Sequence, residues 1–297
     1  MLVEKRSELL FCYDIADANP NGDPMDENKP RIDEETKINI VTDVRLKRTI
    51  RDYLFEYKGY NGQNGKDIFV REIFIEDSKG IQDGKERAKD YNNDPKKVIN
   101  ECIDIRLFGG VIPLNKDSIT YTGPVQFKMG RSLHKVELKH IKGTGAFASK
   151  AGAKQQTFRE EYILPYSFIC FYGIINETAA KYTQLAEEDI KELFEAIWNG
   201  TKNLISRSKI GQMPRFLLKV TYKEKGFFIG DLDKKVAISD FENEFKIRSV
   251  KDFKFDISQL INVFDSNKDK IEKVEYLIDE NLKINGAIPS DWVKLSF

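Results

Sequence analysis

Histidine and cysteine are scarce: two and three in 297 residues, with no spacing that suits metal or redox work. Cys12, Cys102 and Cys170 stand far apart in mostly apolar surroundings, without a CxxC pair, and read as reduced core residues. His134 and His140 fall outside the spacings that recruit zinc. A GxSxG elbow, a Walker loop and a dinucleotide fingerprint are all missing, which leaves little material for nucleophilic, nucleotide or hydride chemistry. No apolar run approaches a membrane span, and Glu4, Lys5, Arg6 and Glu8 stand where a secretory segment would be apolar. The expectation is a soluble, cytoplasmic protein with no cofactor and no membrane partner.

Net charge is lacking too: 48 Lys and Arg balance 48 Asp and Glu, so no uniform field draws a polyanion. The distribution is uneven. Asp14 to Glu35 holds eight acids against Lys29 and Arg31, whereas Lys128 to Arg159 holds eight bases against Glu137 alone. Gly200 to Lys219 adds Lys202, Arg207, Lys209, Arg215 and Lys219 with no acid. Basic blocks in a neutral chain suggest a local anion track.

What is present begins with Leu9 to Tyr57. Glu8–Ala16 is rich in β-formers and reads as a buried strand, and the loop DANPNGDP that follows forbids regular structure. Thr42 is an N-cap residue with Asp43 in the first turn, and Leu46, Ile50, Tyr53, Leu54 and Tyr57 recur at helical spacing. Arg45, Arg48 and Arg51 fall on the other side of that helix, with Lys47 at its flank.

Further along, the pattern predicts a strand at Asp67–Glu76, a helix at Lys96–Phe108 ending at Gly109 and Gly110, and a strand at Ser118–Phe127. The basic segment 128–159 looks like an exposed arm. Glu161–Ile175 is strand-like, with Pro165 arguing for an edge or a bulge. Helix Ala186–Leu204 and strand Arg215–Tyr222 follow, and a helix lies near Asp256–Phe264. With 59–115 and 128–159 taken as insertions, the order is β-α-β-β-α-β, the split βαβ or ferredoxin-like frame shared with the RRM. The fold class expected is α+β. Its palm comprises 1–58, 116–127 and 160–223, with a finger-like insertion at 59–115, a thumb-like arm at 128–159 and a C-terminal extension at 224–297 packed on the palm.

Three readings compete for the acidic loop. Asp17, Asn19, Asn21 and Gly22 match the opening of an EF-hand, but position twelve is Asn28 and a strand precedes the loop. Asp23, Asp26 or Asp33 could serve a Mg²⁺-dependent nuclease, though the spacing fixes no two of them on one rigid element. The third reading is structural, with Asn, Asp, Gly and Pro building successive turns.

DANPNGDP, then PRID, then VTDVRLKRTIRDYL resembles the N-terminal signature of the Cas seven family, the backbone subunit of type I CRISPR Cascade complexes. The form is nearest to type I-B, with type I-C as a near relative. DIRLFGG, YTGPVQF, TFREEYILPYSFICFYG and LFEAIW extend the resemblance over roughly the first 220 residues. It implies an RRM-like palm with thumb and fingers, polymerising head to tail along CRISPR RNA. The implied partners are that RNA, the target DNA strand paired to it, identical subunits and other Cascade subunits.

A carrier of variable guides should grip phosphate and sugar rather than base edges. The expected RNA-binding residues are therefore Asn19 and Asn21 of the loop, Arg45, Lys47, Arg48 and Arg51 of the helix, and Lys128, Arg131, Lys150 and Lys154 of the arm. Arg207, Lys209, Gln212 and Arg215 of SRSKIGQMPR complete the set. No RNP string occurs, so binding through the sheet face is not implied. The expectation is a chain without catalytic residues. The alternative is a metal-dependent ribonuclease using Asp33, which lies in a region comparable to the cleaving loop of type III relatives.

Overall fold

The structure is a computed structural model describing residues 1–75, 80–114, 117–148 and 156–297, with the backbone alone for 144–148 and 156–159. Its main elements are β1 (Ser7–Ala18), β2 (Ile38–Val41), α1 (Asp43–Tyr57), β3 (Val125–Phe127), β4 (Gly130–Lys135) and β5 (Lys139–Ala148). They continue with β6 (Gln156–Ile175), α2 (Glu187–Lys202), β7 (Met213–Tyr222) and β8 (Ile271–Ile278). The chain is α+β. One sheet runs in the order β8-β7-β1-β6-β4-β2, with β3 and β5 also paired to β6 and Val293–Lys294 added parallel to β8. The pairs among the labelled strands are antiparallel.

Strand side chains alternate between faces, and β1 shows what each face needs. Leu9, Phe11, Tyr13 and Ile15 join Ile169, Phe171 and Leu217 in a core closed by Leu46, Ile50 and Leu54 of α1 and Leu193 and Ile197 of α2. Leu10 and Cys12 face the other way with Phe168, Cys170, Phe216 and Leu218, beneath Phe253, Phe255, Leu260 and Phe264 of the C-terminal region. Burying one such aliphatic or aromatic side chain contributes about 1.5–3 kcal/mol, so both layers matter. The sheet face turned away from α1 and α2 is therefore covered as well.

The C-terminal cover is held by charge as well as by packing. Glu8, fully buried on β1, accepts hydrogen bonds from the Tyr172 and Tyr222 hydroxyls and from the main-chain N–H groups of Ile229 and Gly230. On the opposite face α2 approaches α1 closely at Gly200, where a Cβ would stand 3.0 Å from Tyr53 Cβ and 3.2 Å from the Thr49 carbonyl.

Several expectations need correction. Residues 67–75 form no strand beyond isolated bridges, because the Asp104 carboxylate takes the Phe69 and Val70 N–H groups that a ladder would use; Glu76 lies outside the described residues. The helix expected over Lys96–Phe108 is two, Pro95–Glu101 and Ile103–Phe108, broken where Cys102 turns extended and pairs with Asp67. The strand expected over Ser118–Phe127 is interrupted at Gly123 and Pro124. There the DIRLFGG and YTGPVQF segments meet: a Cβ on Gly123 would fall 2.1 Å from the Phe108 carbonyl oxygen, and Gly109 holds φ +67°.

At Pro165 β6 continues without a bulge inside the sheet, with one of its sides locally unpaired. The β5 ladder ends at Ile163 and the β4 ladder begins at Ile169, so the residue without an N–H falls between two partners. The basic segment is not all arm. Its first stretch is β4, inside the sheet with Ser132 and His134 buried, and only β5 with the early part of β6 projects as a ribbon.

Candidate nucleic-acid interface

The end of β1, the start of α1 and the loop before β7 converge. Asn21 Oδ1 accepts from both the N–H and the hydroxyl of Thr42, at 2.8 and 2.9 Å, and Thr42 in turn caps α1 by accepting from Arg45 N–H. This chain of bonds turns the first α1 residues toward the loop. Asn19 N–H donates to the Ser208 carbonyl at 2.8 Å, and Lys209 Nζ donates to the Asn19 carbonyl at 3.1 Å. Burial, with Arg45 beside it, pulls Lys209 below its ordinary pKa, and burial does the same to Arg45.

No carboxylate lies within 4 Å of Lys209 among the described residues, and the nearest to Arg45 is Asp52 at 3.9 Å. Two part-buried cations with so little neutralisation favour an anion nearby. Gln212, three residues beyond Lys209, is buried with its amide nitrogen unpartnered.

The other expected cations are occupied. Arg51 pairs with fully buried Asp104 at 2.9 Å and lies over Phe108; Lys47 pairs with Asp43 at 2.9 Å. Arg48 bonds Asp52 at 2.6 Å and faces Glu72 of the inserted region. Arg48 thus shares Asp52 with Arg45, while Arg51 and Lys47 are each held by a carboxylate of their own. Arg215 is buried between Asp14 at 2.9 Å and Asp279 at 2.5 Å, with Tyr166 also donating to Asp14, and is structural. Burial raises the Asp14 pKa against the pull of Arg215.

Lys128 reaches Asp231 and Asp233 at 3.3 and 3.1 Å on the C-terminal region. Arg131 is half exposed, 3.7 Å from Asp33, and Arg207 bonds Glu161 of the ribbon at 2.8 Å. Surface pairs of this kind are worth about 0–1 kcal/mol. Lys150 and Lys154 lie outside the described residues.

The acidic loop disperses its carboxylates. Asp23 takes Arg31, Asp26 takes Lys29, and Asp33 accepts the Glu35 and Thr36 N–H groups of its own turn, which hold its carboxyl below the usual range. Asn19 Nδ2 donates to the Asn28 carbonyl, so the residues of the EF-hand-like string point to separate partners. Among the described residues no group of three His, Cys, Asp or Glu is close enough to hold a metal.

Sequence reasoning missed a stacked pair on the ribbon. His140 and Tyr162 lie ring on ring at 4.5 Å and 13°, with the Lys29 ammonium 5.2 Å from the Tyr162 ring centroid. Only the β5–β6 register, which sets His140 opposite Tyr162, could have shown it.

Fold and site together define an α+β protein with part-buried, weakly neutralised cations at one end of its central strands. A family model described as CRISPR-associated protein Cas7 matches residues 5–258. The chain is also 31% identical over 314 positions to CRISPR-associated protein Cas7 of Haloferax volcanii, with 96% of this chain and 90% of that relative covered. The chain belongs to the Cas7 family. Its fold resembles a chain of a solved CRISPR RNA-guided surveillance complex, pre-nicking, with TM-score 0.61 and 10% identity over 98% of this chain and 96% of that one. A chain of a second CRISPR RNA-guided surveillance complex gives TM-score 0.58 at 11% identity, covering 98% and 95%.

Proposed function

We propose that this protein is a non-catalytic backbone subunit of a type I CRISPR interference complex, nearest to the type I-B form. It holds CRISPR RNA by ribose and phosphate, tiles along it head to tail with identical subunits, and offers the guide to the target DNA strand beside the other Cascade subunits. The observation that carries this reading is the Arg45–Lys209 junction, a weakly neutralised cation pair in a protein of zero net charge whose other expected cations mostly have acid partners. A backbone grip of this type suits guides of any sequence.

The strand order β7-β1-β6-β3, with α1 and α2 on one face, supports an RRM-like palm. The ribbon of β5 and β6 serves as the thumb-like element and the region after Tyr57 as the finger-like one. The C-terminal extension replaces RNA on the second sheet face. Dispersal of Asp23, Asp26 and Asp33 to separate partners argues against the ribonuclease alternative.

Sedimentation of the purified protein on single-stranded RNAs of increasing length tests the assignment. The mass should rise stepwise with RNA length, and the RNA should remain intact in Mg²⁺. One fixed stoichiometry at every length, or cleavage abolished by Asp33→Ala, would contradict it.

A further inference from the structure

Among the described residues, Asn19 Oδ1, Arg45 Nε and Gln212 Nε2 are shielded from solvent and lack a hydrogen-bond partner; Asn19 is tied to the Ser208–Lys209 turn, Arg45 acts on Lys209 by its charge, and Gln212 follows three residues after Lys209. Asn19 and Gln212 are only 3% and 5% exposed. A buried polar atom left unmet costs about 1–3 kcal/mol, so three at one junction call for a ligand that supplies what they lack.

Their chemistry is mixed. Arg45 Nε and Gln212 Nε2 are donors, and with the Lys209 ammonium they suit the oxygens of a phosphodiester. Asn19 Oδ1 is an acceptor, and its orientation is fixed because the amide nitrogen already donates to the Asn28 carbonyl at 2.6 Å. A phosphodiester has no proton to give it. The group needed is a hydroxyl next to a phosphate, which every RNA nucleotide carries in its 2′-OH and DNA lacks.

The geometry points to Asn19 as a specificity-determining residue that tells RNA from DNA by accepting a hydrogen bond from a ribose 2′-hydroxyl, while Arg45, Lys209 and Gln212 hold the adjoining phosphate. This rests on the RNA-binding reading above and adds a discrimination to it. Lys209 provides the entry. Its Nζ donates to the Asn19 carbonyl and the Ser208 hydroxyl and, among the described residues, meets no acid, so it turns to a phosphate at small cost.

The test uses the full-length protein with labelled RNA, DNA and 2′-O-methyl RNA of one sequence, followed by fluorescence anisotropy. Wild type should bind RNA roughly tenfold tighter than either analogue, the effect of about one net hydrogen bond. Asn19→Ala should abolish the preference, so that the variant binds RNA and DNA alike. If that variant does not fold, single 2′-deoxy substitutions walked along the RNA against wild type should weaken binding at one position per subunit footprint. An equal RNA and DNA affinity in wild type, an unchanged ratio in Asn19→Ala, or a flat deoxy walk would overturn the inference while leaving RNA binding in place. Failure to bind either polymer would overturn the RNA-binding reading and this inference with it.

Discussion

Replacing Arg51 separates structural cations from binding ones. Arg51 lies on the same helix as Arg45, but its guanidinium meets Asp104 at 2.9 Å, with the pair 14% and 0% exposed. Arg51→Ala would leave a buried carboxylate without its cation. Breaking such a pair costs about 3–5 kcal/mol, and because Asp104 keeps the Phe69 and Val70 N–H donors, the loss should sit nearer 2–4 kcal/mol. Asp104 also ties residues 69 and 70 to α1, so the damage should centre on the inserted region. In urea unfolding, with m of about 1–3 kcal/mol per molar, the midpoint should fall by about 1 M or more. Affinity for RNA measured on the folded protein, and its salt dependence, should not change. A midpoint within about 0.3 M of wild type, together with a flatter salt dependence, would refute the assignment of Arg51 to the fold.

Two other predictions concern buried groups. His134 is held neutral, with Nδ1 donating to the Lys135 carbonyl and Nε2 accepting from Phe168 N–H, and burial lowers its pKa with Glu244 and Arg248 nearby. The unfolded chain takes up the proton first, so this contribution is complete above about pH 6.5 and declines below it by up to about 1.4 kcal/mol per pH unit. Urea midpoints at pH 7.5 and 5.5 should show that decline in wild type and a smaller one in His134→Ala; equal declines would count against it. Glu8→Ala strands two tyrosine hydroxyls and two N–H groups and should cost about 3–5 kcal/mol, with limited proteolysis cutting first after Tyr222. An unchanged digestion pattern would show that the C-terminal cover does not depend on this carboxylate.

The long strands and helices were legible because their periodicity is strong and their caps are local: Thr42 announces α1, and Leu46, Ile50 and Leu54 its buried face. The covering of both sheet faces was legible as well, since Leu9 to Tyr13 is apolar at every position, a pattern that a one-sided sheet does not require. Residues 67 to 75 were not legible, because their main-chain partners are side-chain carboxylates of distant residues. The charge blocks stood out in the sequence, but their neutralisation did not. Arg51 finds Asp104, Lys128 finds Asp231, and Arg215 finds Asp14 across separations of 53 to 201 residues. Composition therefore overcounted the available cations, and only the folded register isolates Arg45 and Lys209.

The most direct measurement is the salt dependence of single-stranded RNA binding by wild type and by the Arg45→Ala, Lys209→Ala double variant. Each lost phosphate contact reduces the slope of log K against log salt by roughly 0.7, so the double variant should be shallower by about 1.4 on every RNA sequence. An unchanged slope in a folded double variant would contradict the claim that this cation pair grips the RNA backbone.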